Sequence, residues 1–221
     1  MAKQKDTAAG LEIGRLTEAL ASKTALLETI EARLDRQSEE LLRAREELAQ
    51  ATCKIAQLAS SDDLTGLKSR RAFHDDLQRE WERSRRNRHA LSLIIIDIDG
   101  FRDYNDRGGF DAGDTVLRGI AAAVTATARS VDTTARYGGD EFAVIAPNTA
   151  RAGAIRLAER LRSAVMAALV PDCDVTVSVG VATTARSIIS ATDLIAACES
   201  ALFFSKRDGR NRSTHAADVL P

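Results

Sequence analysis

Ile13, Leu20, Leu27, Leu34, Leu41, Leu48 and Ile55 stand seven residues apart. An α-helix turns about once per 3.6 residues, so a strict seven-residue row drifts around a straight helix and stays on one contact line only when helices supercoil. The row therefore restricts residues 13–58 to a left-handed coiled coil. Three residues after each member come Leu16, Lys23, Ile30, Gln37, Ala44, Ala51 and Leu58, a second row interrupted by Lys23 and Gln37. Polar residues in such a seam cost stability but fix register and strand number, which favours a parallel homodimer. A lone helix packed on its own domain would run ~8–20 residues and carry a wider apolar face.

The heptads stop where Ser60, Ser61, Asp62 and Asp63 cluster ahead of Gly66, a boundary signal. The chain is read as a coiled-coil helix over residues 1–59, a globular domain over 60–215 and a tail over 216–221. Within the domain, residues 70–88 are expected to be helical and 91–98 form an apolar β-branched strand. A helix follows over 112–129, and residues 135–147 read as strand, tight turn, strand, with Gly138 and Gly139 in the turn. Helices over 150–169 and 191–207 flank an alternating strand at 174–183, and a short strand closes the domain near 211–214. The fold class is α+β, a mixed sheet covered by helices.

Lys and Arg number 31 against 32 Asp and Glu, a formal net charge of −1. This gives no global drive toward nucleic acid or an anionic membrane, so any polyanion site must be local. Cys53, Cys173 and Cys198 are widely spaced without a CxxC pair, as expected of reduced structural thiols. No segment approaches the ~18 uninterrupted apolar residues of a membrane span, and the chain is expected to be soluble and cytoplasmic.

Two acidic clusters carry the first chemical signal. Asp97-Ile98-Asp99 ends a buried strand and Asp140-Glu141 lies in the hairpin turn. Mg²⁺ takes oxygen ligands and keeps water or substrate phosphates on its remaining positions, so a few carboxylates beside a nucleotide make a suitable site. Asp97 and Asp99 are expected to point apart, and Asp97 is taken as the ligand. Gly100 to Arg107 is read as a turn whose backbone amides face a phosphate, and Gly138-Gly139 would let a nucleotide approach the main chain. Lys206, Arg207, Arg210 and Arg212 form a late basic group able to neutralise a triphosphate.

These segments together resemble one family. RYGGDEF (136–142) matches the signature of GGDEF-domain diguanylate cyclases, DLTGLKSRR (63–71) resembles the domain's opening element, and DIDGFRDYND with GFDAGD (97–114) resembles its DIDxFKxxND and GHxxGD segments. LFFSKRDGRNR (202–212) resembles its closing element. The resemblance covers about residues 60–214. It implies a five-stranded central sheet with flanking helices, related to the adenylyl cyclase and polymerase palm folds, and an enzyme of bacterial second-messenger signalling that condenses two GTP into cyclic di-GMP and pyrophosphate across a homodimer.

The resemblance also implies roles. Asp97, Glu141, Asp140 and the Ile98 carbonyl would hold Mg²⁺, or Mn²⁺ in its place. Asn105 and Asp114 would bond the guanine edge. The amides of Phe101 and Arg102, with Lys206 and Arg210, would hold phosphates, and Gly138 and Gly139 would border the nucleotide. Arg129 and Asp132 resemble the RxxD site for inhibitory product, with Arg160 as a second contact. Departures from the family pattern include Ser69 for Asn, Arg102 for Lys, Phe203 for Tyr, and Phe110 for the usual His, which removes hydrogen-bonding capacity beside the nucleotide segment. The competing reading is a catalytically weak or inactive receptor for GTP or cyclic di-GMP that signals through its coil. No upstream sensor is legible.

Overall fold

Every residue of Leu91–Asp99 is buried, which requires a strand flanked by neighbours on both edges and covered on both faces. The computed structural model, which describes residues 20, 23, 33–34, 36–52, 60–168 and 175–219, places this strand, β1, at the centre of a five-stranded sheet of order β2-β3-β1-β4-β5. The other strands are β2 (Thr133–Arg136), β3 (Glu141–Pro147), β4 (Thr176–Thr183) and β5 (Ser213–His215). All pairings are antiparallel except β4 with β5. The mixed sheet flanked by helices is the architecture that the sequence predicts.

The alternation of β1 divides the core. Ile94, Ile96 and Ile98 face α4 (Phe110–Thr127) and α5 (Arg151–Ala168), where Ile120, Val124, Leu157 and Leu161 pack against them. Leu91, Leu93 and Ile95 face the opposite layer of α2 (Arg70–Asn87) and α6 (Ala191–Arg207), contributed by Phe73, Leu77, Leu194 and Cys198. Each such fully buried side chain contributes roughly 1.5–3 kcal/mol, so the two layers fix β1 and hence the position of its acidic end. Cys198 is buried, its thiol facing the carbonyls of Gly180 and Leu93; Cys53 and Cys173 lie outside the described residues.

Two departures from the sequence reading bear on the site. Residues 100–107 are not an open turn: Gly100, at φ 70°, starts helix α3 (Phe101–Gly108). Only Phe101, buried, and Tyr104, partly buried, anchor it to the core, a single apolar i, i+3 step that is too short to announce a helix. The following helix ends at Thr127, so Arg129 stands beyond it rather than on it. The closing strand is confined to Ser213–His215, and beyond it Ala216 is buried and Asp218 pairs with Arg151.

The chain divides into units Met1–Gln57 and Leu58–Pro221. In the first, residues 36–52 form a helix, α1, and the heptad residues Leu34, Leu41 and Leu48 are 56 %, 70 % and 67 % exposed. Ile13, Leu27 and Ile55 of the same row lie outside the described residues, as do Leu16, Ile30 and Leu58 of the second row. No helix among the described residues is long and apolar enough to cross a membrane.

A buried polar chain locks the sheet end opposite the acidic cluster. The Ala217 amide donates to Nδ1 of His215 at 3.1 Å, and His215 Nε2 faces Thr183 Oγ1 at 3.1 Å. Thr183 Oγ1 in turn meets Ser92 Oγ at 2.8 Å, and Ser92 donates to the Thr149 carbonyl at 2.7 Å. Burial first, and the Arg151 charge second, hold the His215 pKa below its ordinary value. The folded state thus keeps the ring neutral while the unfolded chain binds a proton near pH 6.5 or below. The stability from His215 is full above that value and is lost as pH falls through it. The melting temperature is expected to drop between about pH 7 and about pH 5, with a smaller drop in His215→Gln; equal slopes in a calorimetric pH series would rule the assignment out.

Candidate active site

The acidic residues meet through strand register. In the β1–β3 pair Asp97 lies directly opposite Glu141, and opposed residues in an antiparallel pair share a face. The turn between β2 and β3 is built to present Glu141. The amides of Tyr137 and Gly138 both donate to its carbonyl, at 2.8 and 3.1 Å, and a Cβ at Gly138 would stand 2.5 Å from its Oε2. Any larger residue at 138 would displace the carboxylate.

Arg136 pins the same turn. Its guanidinium donates to the Gly139 carbonyl at 2.6 and 3.2 Å and, from Nη1, to both carboxylate oxygens of Asp62 at 3.2 Å. Asp62 also accepts from the amide and hydroxyl of Thr65 at 2.9 and 2.6 Å. The opening element, which adds a bridge from Lys68 to Ala135 at the edge of β2, is thereby tied to the signature turn. Below the turn, Tyr137 donates to Glu199 at 3.0 Å and lies under the Arg70 guanidinium.

Charge is crowded here. Burial pushes the Asp97 carboxyl up to about 6, against the hydrogen bond and charge of Lys206, whose Nζ lies 2.7 Å from Asp97 Oδ2. Burial and then Asp140 raise Glu141 as well. Among the described residues no group of three or more His, Cys, Asp or Glu gathers at metal-holding distance. The donor set is two facing carboxylates whose charge the fold penalises, with Asp140 nearby. It fits a divalent cation that completes its shell with substrate oxygens or water, as Mg²⁺ does, better than one needing an all-protein cage.

Asp99 follows a different path from the one expected. Residues two apart in a strand share a face, so Asp97 and Asp99 lie on the same side, and lateral neighbours separate them. Asp99 accepts from Thr176 and Ser178 of β4 at 2.6 and 2.7 Å and from the Asn211 amide at 3.2 Å. Asp99 therefore anchors the loop in which Arg210 and Asn211 take positive φ values of 60° and 45°, a conformation that costs energy without such ties.

Beside the acidic pair lies a cleft of about 510 Å³, bordered by Phe101, Arg102, Asn105, Asp114, Gly139 and Asp140 among others. Six of the sequence-derived candidates thus share one concavity. Asn105 Oδ1 is buried without a hydrogen-bond partner and lies against Gly113, where a Cβ would collide with it. A buried acceptor left unpaired costs about 1–3 kcal/mol, and this cost is relieved by a ligand that brings an N–H. Asp114 has only a long ion pair with Arg118, 3.8 Å. Phe110 and Arg136 also border the cleft. Ile98 is on β1 with its amide bonded to the Asp140 carbonyl at 3.3 Å, and Arg210 is in the exposed closing loop.

Arg129 and Asp132 form a separate group. The Arg129 amide donates to Asp132 Oδ2 at 2.8 Å, whereas Asp132 Oδ1 is buried and unpartnered. Asp132 borders a second concavity of about 540 Å³ with Lys68, Thr125 and Ser130. Arg160 donates to the Thr127 carbonyl at 2.9 Å.

Sequence reasoning missed Arg136 and Asp62. Arg136 had a signal, a charged residue at the inner end of a β-strand, and Asp62 was absorbed into the boundary cluster.

Fold and site define a mixed α/β domain in which the acidic end of the central strand lies beside a polar cleft. The family model described as "Diguanylate cyclase, GGDEF domain" matches residues 59–212, and the chain belongs to the GGDEF family. It is 34 % identical over 175 residues to diguanylate cyclase A of Treponema denticola, covering 76 % of this chain and 47 % of that protein. It is 37 % identical over 161 residues to the response regulator PleD of Caulobacter vibrioides, covering 70 % and 36 %. The chain thus spans less than half the length of these relatives. The GGDEF domain of DgcB from Caulobacter crescentus in complex with c-di-GMP superposes with a TM-score of 0.69 at 34 % identity, over 72 % of this chain and 96 % of that one. The coiled coil and GGDEF domain of the same protein superpose with a TM-score of 0.67 at 33 % identity, over 84 % and 98 %.

Asp62→Ala is expected to remove the ion pair of half-buried Arg136, leaving its bonds to the Gly139 carbonyl, and so to untie the opening element from the signature turn. The cost is about 1.5–3 kcal/mol for hydrogen bonds to charged groups, read as a melting temperature lowered by several degrees in calorimetry. An unchanged melting temperature would show that the bridge contributes nothing.

Proposed function

We propose that the chain is a diguanylate cyclase, joining two GTP molecules into cyclic di-GMP with release of two pyrophosphates. The observation that carries this is the facing pair Asp97 and Glu141 beside a cleft whose Asn105 Oδ1 awaits a donor. Guanine offers N1–H and N2–H donors along one edge, which Asp114 and Asn105 accept; adenine presents an N1 acceptor at the same place and leaves these groups unpaired. Phe101 and Arg102, at the start of α3, offer free first-turn amides to the phosphates. Lys206 and Arg210 supply positive charge, Lys206 from its place on Asp97.

Asp97 and Glu141, with Asp140 and the Ile98 carbonyl, are the groups that would hold Mg²⁺ or Mn²⁺, which when bound neutralises triphosphate charge and polarises the phosphoryl group. The protein's own part is positioning. Each domain holds one GTP so that the 3′-hydroxyl of one nucleotide meets the α-phosphorus of the other, an advantage in effective concentration. The reaction therefore needs two domains facing each other. The exposed heptad residues Leu34, Leu41 and Leu48, the last two on α1, support a parallel coiled coil as the source of that pairing. Asp132 Oδ1 and the exposed Arg129 suit a guanine edge and a phosphate, which supports product inhibition at that site with Arg160 nearby.

Incubation with GTP and Mg²⁺ is expected to yield cyclic di-GMP and pyrophosphate by chromatography, with Glu141→Gln lowering the rate roughly 100-fold or more. GTP bound without product would exclude the cyclase reading. Leu41→Lys combined with Leu48→Lys is expected to make the rate per subunit fall on dilution; a constant rate would remove the coil from catalysis. Arg129→Ala should weaken inhibition by cyclic di-GMP roughly tenfold or more with little change in initial rate, and inhibition of unchanged strength would place the control site elsewhere.

A further inference from the structure

Phe110 is 84 % exposed, more than any other large apolar side chain among the described residues. It is the first residue of α4, directly after Gly109 at φ 81° and ψ 166°, so the backbone fixes where the ring leaves the surface. That place is the rim of the cleft that holds Asn105 and Asp114. The cleft is chemically divided. Its interior offers the unpartnered Asn105 Oδ1, the Asp114 carboxylate and the bare Cα of Gly113. Its rim offers a phenyl ring held in water.

A purine makes two demands on a site, hydrogen bonds along its edge and apolar cover for its faces. Asn105 and Asp114 can meet the first and leave the second open. We infer that Phe110 is a substrate-contacting residue that stacks on the outward face of the base seated on Asn105 and Asp114, and so sets nucleotide affinity in this chain. The inference rests on the guanine reading of the cleft given above. The phenyl ring lacks the hydrogen-bonding nitrogens of an imidazole but presents a wider uncharged π-face. Its contribution comes from the base alone and is independent of phosphates and of salt.

The test is equilibrium binding to the full chain of GDP, which cannot release pyrophosphate, and of guanosine, which has no phosphate. Phe110→Ala is expected to weaken both roughly tenfold and by the same factor, a loss typical of one base–aromatic stack. Phe110→Tyr should retain affinity. The indole fluorescence of Phe110→Trp should be quenched saturably by both ligands, against the constant background of buried Trp81. Asn105→Ala and Asp114→Ala mark the site itself. If they abolish binding while Phe110→Ala stays within about twofold of the parent, stacking is overturned and the guanine site stands. If they too leave binding unchanged, the guanine reading of the cleft falls and this inference with it. Because Phe110 packs against nothing in the core, the substitutions should leave the melting temperature in place.

Discussion

The pairing of β1 with β3 is the interaction on which the rest of the molecule depends. It runs from Leu91 opposite Pro147 to Asp97 opposite Glu141, and a slip of one residue would send the two carboxylates to opposite faces. Register is held from both sides of the sheet, by the isoleucines facing α4 and α5 and by the leucines facing α2 and α6. Hydrophobic burial, which has no direction of its own, here becomes directional because the pleat alternates. The acidic end of β1 is thus placed by packing rather than by any attraction between acidic groups.

Those groups in fact repel one another. Burial first, and the Asp140 charge beside them, raise both Asp97 and Glu141, and Lys206 works against the rise at both, adding a hydrogen bond only at Asp97. Such a cluster costs stability, a cost that a bound cation would lower. The polar scaffold around it distributes the work. Arg136 and Asp62 hold the turn, Asp99 holds the closing loop, and Asn105 waits at the cleft floor. Packing and polar roles therefore fall on different residues of the same strand, Ile94, Ile96 and Ile98 in the core and Asp97 and Asp99 at its polar end.

Legibility in the sequence followed the physics of each signal. The heptad row, the buried strand and the hairpin around Gly138 were legible because each rests on a local periodicity or a backbone requirement. Helix α3 was not, since one turn of apolar spacing between Phe101 and Tyr104 cannot outweigh glycines at both ends. Asp97 was legible as a ligand candidate. The reason for its separation from Asp99 was not, because it lies in what each faces across neighbouring strands. Arg136 and Asp62 are 74 residues apart in sequence, and nothing local to either predicts the other.

The sequence by itself determined the period of the heptad row, the alternation of strand and helix, the acidic, glycine and basic residues offered as site candidates, and the family resemblance they carry. These are short-range properties, written in spacing and side-chain chemistry. Tertiary structure alone decided that Asp97 faces Glu141, that Lys206 reaches Asp97 from another element, that Asn105 Oδ1 is buried without a partner, and that Phe110 stands exposed above it. Each of these depends on which strands are neighbours and on what the packed helices leave uncovered, and such facts exist only once the chain has closed on itself.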